Sequence, residues 1–354
     1  MFAPRGKYKL LLLSVLLLLA SHSIAAQRSD TLRLLILGDV MMHQAQLSHK
    51  PKHFFQFVRP KMQEADLCIA NMEFSLAGEP YSGYPAFSAP DAIAHQLKED
   101  GADIFLLANN HLADKGKSGM LRTLSVYRDS LQMPFTGLNN APLIIEKKGI
   151  RLAFLNFTYG SNAPVSKSAP RLSILSEQTL SEAIDSAHRS QADFLIALPH
   201  WGIEYDLLHS PAQEKMARYM SKKGVDAIIG AHPHVIQDTA WIHNVPVIYS
   251  VGNAVSNMSA QNTRLELAVE LNILIKEKKI LPPTLHWMWC TLPGRLTDSY
   301  ATIFVEEWIG KRSQWKIPAD YDKMMETYQR VKAISLCEGE ARDQYRKDIQ
   351  KEND

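Results

Sequence analysis

Apolar residues in this chain gather into short unbroken runs, and five of these runs end in a residue able to bind a metal. Leu34-Leu35-Ile36-Leu37-Gly38 is followed by Asp39, and Leu67-Cys68-Ile69-Ala70 by Asn71-Met72-Glu73. Ile104-Phe105-Leu106-Leu107-Ala108 leads into Asn109-Asn110-His111, and Phe194-Leu195-Ile196-Ala197-Leu198-Pro199 into His200. The fifth run, Ala227-Ile228-Ile229-Gly230-Ala231, leads into His232-Pro233-His234. Continuous apolar runs of this length read as strands buried on both faces. Ligands of open α/β sheets collect beyond the carboxyl ends of such strands. Asp, Glu, Asn and His arriving there together form a mixed oxygen and nitrogen set that suits a divalent cation.

Helical patterns alternate with the strands. Helices are predicted over residues 90–98, over 117–131 with apolar positions at Met120, Leu121, Leu124, Tyr127 and Leu131, over 179–190 behind Ser176-Glu177, and over 211–223 closed by Gly224. Residues 143–157 read as a hairpin turning at Lys147-Lys148-Gly149, and 235–249 as another turning at His243-Asn244. Residues 265–275 and 285–290 are late strands. Hairpins beside βαβ units predict a mixed sheet or two packed sheets. Residues 78–90, 160–170 and 253–263 read as surface loops near strand ends, where substrate contacts often lie. In the first of these, Tyr81, Tyr84 and Phe87 either line a groove or hold the loop down. From Pro318 a helix pattern resumes with Tyr321, Met324, Met325, Tyr328, Val331 and Ile334, so residues 318–354 read as a C-terminal helical tail behind a main domain over 30–310.

Composition narrows the class. With 46% hydrophobic and 21% charged residues in 354, the chain is globular rather than disordered. At the N-terminus, Arg5, Lys7 and Lys9 precede an apolar run from Leu10 to Ala20, with Ser23-Ile24-Ala25 behind it. This is the form of a signal peptide over residues 1–26, too short to span a bilayer comfortably. It predicts export to the periplasm or cell envelope, with no stable transmembrane segment in the mature chain. Removing that segment takes the net charge from +2 to −1, which argues against nucleic acid as a partner. Three cysteines, Cys68, Cys290 and Cys337, do not make a disulfide framework, and a bond between the last two is left open.

Among candidate chemical groups, His200 and the His232-x-His234 pair carry most weight. Alone, such histidines are often bonded to backbone carbonyls. Two sets ending two buried strands favour a ligand role, and alternate residues of an extended chain point to one side. Asp114 stands three residues after His111, a spacing that lets a carboxylate orient a general acid. Glu73 directly follows a buried strand, where a carboxylate is costly unless paired or metal-bound. If the chain turns helical after His200, Glu204 four residues on shares a face with it; it reads equally well as a solvated or capping carboxylate.

Six ordered motifs carry a resemblance. They are Gly38-Asp39-Val40-Met41, Asn71-Met72-Glu73, Ala108-Asn109-Asn110-His111 with Asp114 and Gly116, His200-Trp201-Gly202-Ile203-Glu204-Tyr205, Gly230-Ala231-His232-Pro233-His234-Val235, and Tyr249-Ser250-Val251-Gly252-Asn253. Over roughly residues 33–257 the chain resembles CapA-type proteins, the bacterial capsule-synthesis family linked to poly-γ-glutamate. That family is in turn similar to calcineurin-like metallophosphatases. The resemblance implies a four-layer α/β/β/α metallophosphatase-like sandwich of two packed mixed sheets with a two-metal centre.

On that resemblance Asp39 and His234 bind the first metal and Glu73 stands at the bridging carboxylate. Asn110, His200 and His232 bind the second, with His111 as general acid held by Asp114. The ions would be Mn, Fe or Zn. Three positions depart from the metallophosphatase pattern. Met41 stands where a His is expected, with His43 a candidate substitute two residues on. Glu73 replaces an Asp, and Asn109 replaces a Gly. The implied function is metal-dependent hydrolysis in envelope or capsule polymer metabolism, with a polymer or phosphoester as substrate. The alternative is a non-catalytic accessory protein of capsule polymer synthesis or export.

Overall fold

The computed structural model describes residues 30–165 and 168–336. The segment read as a signal peptide and Cys337 lie outside the described residues. In chain order the strands are β1 (Thr31–Val40), β2 (Leu67–Met72), β3 (Ile104–Leu106), β4 (Phe135–Thr136), β5 (Leu143–Lys147), β6 (Ile150–Thr158), β7 (Phe194–His200) and β8 (Ala227–Ile229). They continue with β9 (Thr239–Ile242), β10 (Val245–Ile248), β11 (Asn253–Val255), β12 (Leu265–Leu274), β13 (Lys279–Ile280), β14 (Thr284–Thr291) and β15 (Ala301–Phe304).

They form two mixed sheets. The first runs β15-β14-β12-β1-β2-β3-β4, with β11 added to β1 and β13 to β12. The second runs β5-β6-β7-β8-β10-β9. Strands β1 to β4 are mutually parallel, as are β6, β7, β8 and β10, and antiparallel strands close the edges. Both predicted hairpins are present as β5–β6 and β9–β10. Lys148-Gly149 and His243-Asn244 all take positive φ, the two-residue turn whose twist matches the strands it joins.

Side-chain alternation explains the layering. On β1, Leu32, Leu34 and Ile36 point between the sheets, where they meet Leu152, Phe154, Ile196 and Leu198. Leu35 and Leu37 point outward with Ile93, Leu97, Met120 and Leu124 of the helices Ala92–Asp100 and Gly116–Ser125. On the far side, Leu155, Leu195 and Ala197 pack against Leu180, Ile184, Ala217 and Met220 of the helices Glu177–Arg189 and Pro211–Lys222. The result is the expected four layers of helices, sheet, sheet and helices. Each buried aliphatic side chain contributes roughly 1.5–3 kcal/mol, so both faces of each sheet are held. Ser176 and Ser210 cap the last two helices by accepting from the amides of Thr179 and Gln213. The helix predicted over 117–131 is α-helical only to Ser125 and finishes as a π-turn over Val126–Ser130.

The helix Pro318–Ser335 lays Tyr321, Met324, Tyr328 and Val331 onto the inter-sheet core. A buried ion pair fixes its start. Arg264 donates from Nη1 and Nη2 to Asp320 at 2.8 and 2.7 Å and lies 4.4 Å over the Trp289 ring. Cys290 beside it is a buried free thiol. Breaking one half of a buried ion pair strands the other charge and costs about 3–5 kcal/mol. Asp320→Ala should therefore lower the unfolding free energy in urea by that order. Asp322→Ala, which breaks an exposed pair with Arg312, should leave the urea midpoint in place. Equal behaviour of the two variants would show that the Arg264 pair does not anchor the helix.

Candidate metal centre

The parallel strands of both sheets deliver polar side chains to one shared edge. On β2 and β7 the inward alternation that places Ile69 and Leu198 between the sheets continues to Asn71 and His200. β1 reaches the same edge differently. Its register against β2 slips between Ile36 and Asp39, which turns the Asp39 carboxylate toward the gap. Gly38 is needed at the slip, since a Cβ there would lie 2.0 Å from the Gly252 carbonyl oxygen.

Asp39 is fully buried and well satisfied. Asn71 Nδ2 donates to its Oδ1 at 2.6 Å and the His232 amide donates to its Oδ2 at 3.1 Å. Burial pushes its carboxyl up, but hydrogen bonding and charge from His234 and His200 outweigh that and hold it down at about 2. Glu73 is the opposite case. It is fully buried, and neither carboxylate oxygen has a hydrogen-bond partner. Burial, then the charge of Asp39, push it up to about 8.

The imidazoles gather around this pair. His200 Nε2 lies 3.5 Å from Glu73 Oε1 and 2.7 Å from Asn110 Oδ1, while its Nδ1 lies 3.2 Å from Asn71 Nδ2. Burial lowers His200 to about 4. His234 Nδ1 lies 3.0 Å from Asn253 Oδ1, 3.6 Å from Asp39 Oδ2 and 3.9 Å from Glu73 Oε2. Burial lowers its basicity, but Glu73 and Asp39 more than reverse this and raise it to about 9. His232 Nδ1 is buried with no partner. Its ring lies 4.8 Å from that of His200 and 4.4 Å from that of Tyr159. Burial, then the charges of His200 and His234, lower it to about 2.

Two overlapping donor groups result. Glu73, His200 and His232 form one, and Asp39, Glu73 and His234 the other, with the ligand atoms of each within 4.8 Å of one another. Glu73 belongs to both. The orphaned oxygens of Glu73 and the orphaned Nδ1 of His232 are what a cation would satisfy, so the residues present fit divalent metal ions. At the rim, Asp114 Oδ2 lies 2.7 Å from His111 Nδ1 and also accepts from the Phe87 amide at 2.8 Å. Burial lowers His111, but the hydrogen bond to Asp114 and the Glu73 charge raise it overall. Phe87 is buried edge-on to His111 at 4.7 Å, so it holds its loop down, whereas Tyr84 is exposed. Tyr159 and Tyr205 are half-exposed beside the two site histidines.

Every sequence-predicted ligand thus meets at this edge, with His111 at its rim, although two details differ from expectation. His232 and His234 are not alternate residues of an extended strand. β8 ends at Ile229, and both histidines take positive φ, of 101° and 58°. A left-handed turn, not strand alternation, aims them at the carboxylates. The chain after His200 is not helical either, and Glu204 turns instead toward His232 and His234. His43 belongs to neither buried group. Its Nδ1 lies 3.2 Å from Gln46 Oε1 and accepts from the Asn257 amide at 3.3 Å. Met41, at the position expected to hold His, is buried in the outer core.

Four asparagines brace the site. Asn71 and Asn253 contact Asp39 and His234 directly. Asn109 Nδ2 donates to the Met72 carbonyl at 2.9 Å, while its Oδ1 accepts from the His111 amide at 3.1 Å. Asn156, inward on β6, accepts from the amides of Leu107 and Ala108 and donates to the Leu198 carbonyl, tying the two sheets together beside the site. The signal for Asn156 was a lone amide at an apolar position of Leu152-Ala153-Phe154-Leu155-Asn156-Phe157.

Fold and site together define a two-sheet α/β sandwich with a buried cluster of carboxylates and imidazoles that could hold metal ions. The chain belongs to the bacterial capsule synthesis protein PGA_cap family, whose profile matches residues 33–258. It is 27% identical over 268 residues to the capsule biosynthesis protein CapA of Bacillus anthracis, covering 70% of this chain and 65% of that one, somewhat less than two thirds of the relative's length. It is also 27% identical over 265 residues to the PGA biosynthesis protein CapA of Bacillus subtilis, covering 69% of this chain and 68% of the relative. Among solved structures it is similar to a phosphatase from Mycoplasma pneumoniae, with TM-score 0.47 and 14% identity over 73% of this chain and 93% of that one. It is similar too to the calcineurin-like phosphoesterase YfkN of Bacillus subtilis, with TM-score 0.45 and 14% identity over 87% and 98%.

The electrostatics set a pH dependence for the metal-free protein. Glu73 and His234 both hold protons in the folded state that the unfolded chain releases at lower pH. Between about pH 6.5 and 8 the folded state therefore binds more protons, and its stability falls as pH rises. Chelator-treated protein should lose urea resistance across that window, and Glu73→Gln should flatten the loss. A midpoint that stays level or rises from pH 6.5 to 8 would contradict this account.

Proposed function

We propose that this chain is an exported metal-dependent hydrolase acting on a capsule or envelope polymer, or on a phosphoester, through two divalent ions. The observation that carries the reading is the pair of donor groups sharing Glu73, buried and otherwise unpartnered. Asp39, Glu73 and His234 would hold one ion, and Glu73, His200, His232 and Asn110 the other. Divalent ions so held supply Lewis acidity and a water of lowered pKa. The donor set accepts Mn, Fe or Zn.

His111 supports a second function of the site. Its Nε2 lies 3.3 Å from Asn162 Nδ2 at the rim, and its Nδ1 is fixed by Asp114, the arrangement that holds an imidazole ready to give a proton to a leaving group. A second reading takes support from Met41 and from the engagement of His43 Nδ1, which leave one donor group with three residues. On it, the site binds metal and polymer without turnover, as an accessory of synthesis or export.

Metal analysis of the purified chain, joined to a screen of phosphomonoesters, phosphodiesters and capsule polymer, tests both readings. His200→Ala should lower metal content and turnover together. His111→Ala should keep its metal and lose about 10²–10⁴-fold in rate, the usual contribution of a positioned acid. Full turnover in His111→Ala removes the acid role, and metal binding without turnover on any substrate selects the accessory reading.

Export rests on the basic and apolar segment before Ala25. Among the described residues no helix is long and apolar enough to cross a membrane. N-terminal sequencing of protein from the cell envelope should begin near Ala26 or Gln27. An intact Met1 there would replace secretion with anchoring.

A further inference from the structure

We propose that Glu204 is an additional ligand of the centre, closing its solvent side. The inference rests on the metal-centre reading above and extends it to a residue outside the two buried donor groups. One Glu204 carboxylate oxygen and one ring nitrogen each of His232 and His234 lie within 4.8 Å of one another. His232 belongs to one buried group and His234 to the other, with Glu73 shared beneath them. Glu204 is exposed, so it faces the same two imidazoles from the side open to water. The centre thus has one shared carboxylate, Glu73, on its buried side beside Asp39, and a second carboxylate at its mouth in reach of a histidine from each group. His232 Nδ1 is buried without a hydrogen-bond partner, so this imidazole is open to a cation.

The loop that carries Glu204 is tied down from behind. Gly202 has φ +98°, and a Cβ there would meet the Gln213 amide at 2.7 Å. Gln213 Nε2 donates to Gln237 Oε1 at 2.7 Å, and Gln237 Nε2 donates to the carbonyls of Asp206 and Leu208 at 3.0 and 3.1 Å. The Tyr205 amide donates to the Pro233 carbonyl at 2.8 Å, linking this loop to the turn between the two histidines. Tyr205 itself takes φ +71°. A free surface carboxylate needs no such support. This loop holds its carboxylate over the histidine pair while the side chain stays wet, which suits a ligand that can leave when a substrate oxygen arrives. A third carboxylate also raises affinity for a hard divalent cation, since charge count tunes such sites.

Titration of the full chain with Mn²⁺, by calorimetry or chelator competition, tests the assignment. Glu204→Gln should weaken Mn²⁺ binding by about 10–100-fold, the range seen when groups supporting a metal are removed. Glu204→Asp should keep part of the affinity, and Asp206→Asn on the same loop should bind as the wild type does. Unchanged circular dichroism in each variant separates ligand loss from unfolding. If His200→Ala loses Mn²⁺ while Glu204→Gln binds it as tightly as wild type, the Glu204 assignment is overturned and the centre stands. If the wild-type chain takes up no Mn²⁺, centre and assignment fail together.

Discussion

The buried carboxylate of Glu73 is the constraint around which the site is arranged. Removing an ionised carboxylate from water costs several kcal/mol even after relaxation. Asp39 meets that cost locally, with Asn71, the His232 amide and the His234 imidazole all turned toward it. Glu73 has no equivalent, since both of its oxygens lack hydrogen bonds while His200 and His234 stand 3.5 and 3.9 Å away. Without a cation the group escapes the cost by keeping its proton, which is why its pKa climbs while that of Asp39 falls. Two carboxylates driven apart in this way act on each other, and on the proposed reading a divalent ion would resolve both at once.

Such a centre would collapse on a soft scaffold. The two sheets supply stiffness because strands that bring residues of the site are clamped on both faces. β7 packs Ile196 and Leu198 inward and Leu195 and Ala197 outward, so its last residue, His200, has little freedom to withdraw. Asn156 adds a polar rivet between the chain just after β3 and β7 beside the site. Backbone in left-handed conformations at His232, His234 and Tyr205 costs of order 1–3 kcal/mol each. His232 and His234 belong to the buried donor groups, and the Tyr205 amide is bonded to the Pro233 carbonyl between them, so the packing of the sheets stabilises strain gathered at the site.

Much of this was legible in the sequence because strand ends are marked by composition. An apolar run that stops at Asp, Asn or His reveals both the strand and the direction in which it points. The hairpins were legible for the same local reason, since Lys148-Gly149 and His243-Asn244 tolerate positive φ. What escaped depends on backbone conformation that residue types do not encode. Strand alternation suggested that His232 and His234 share a side, yet β8 had already ended and a turn does the work. Glu204 would share a face with His200 only if the chain turned helical there; instead it lies beside His232 and His234. The role of Asn156 emerges only when two sheets are packed face to face.

Met41 stands apart from the donor groups, and the geometry around Asp39 shows where it goes. After the register slip that turns Asp39 inward, β1 continues into β11 pairing and Met41 enters the outer core with Val40 and Met42. A side chain buried in that core serves packing. The donor group around Asp39 is left with two carboxylates and one imidazole, against one carboxylate, two imidazoles and the nearby Asn110 in the other. More anionic charge and fewer nitrogen donors favour a harder ion, while the imidazole-rich group favours a borderline one. On the proposed reading, the two positions therefore differ in kind as well as in strength, with Glu73 coupling the occupancy of one to the electrostatics of the other.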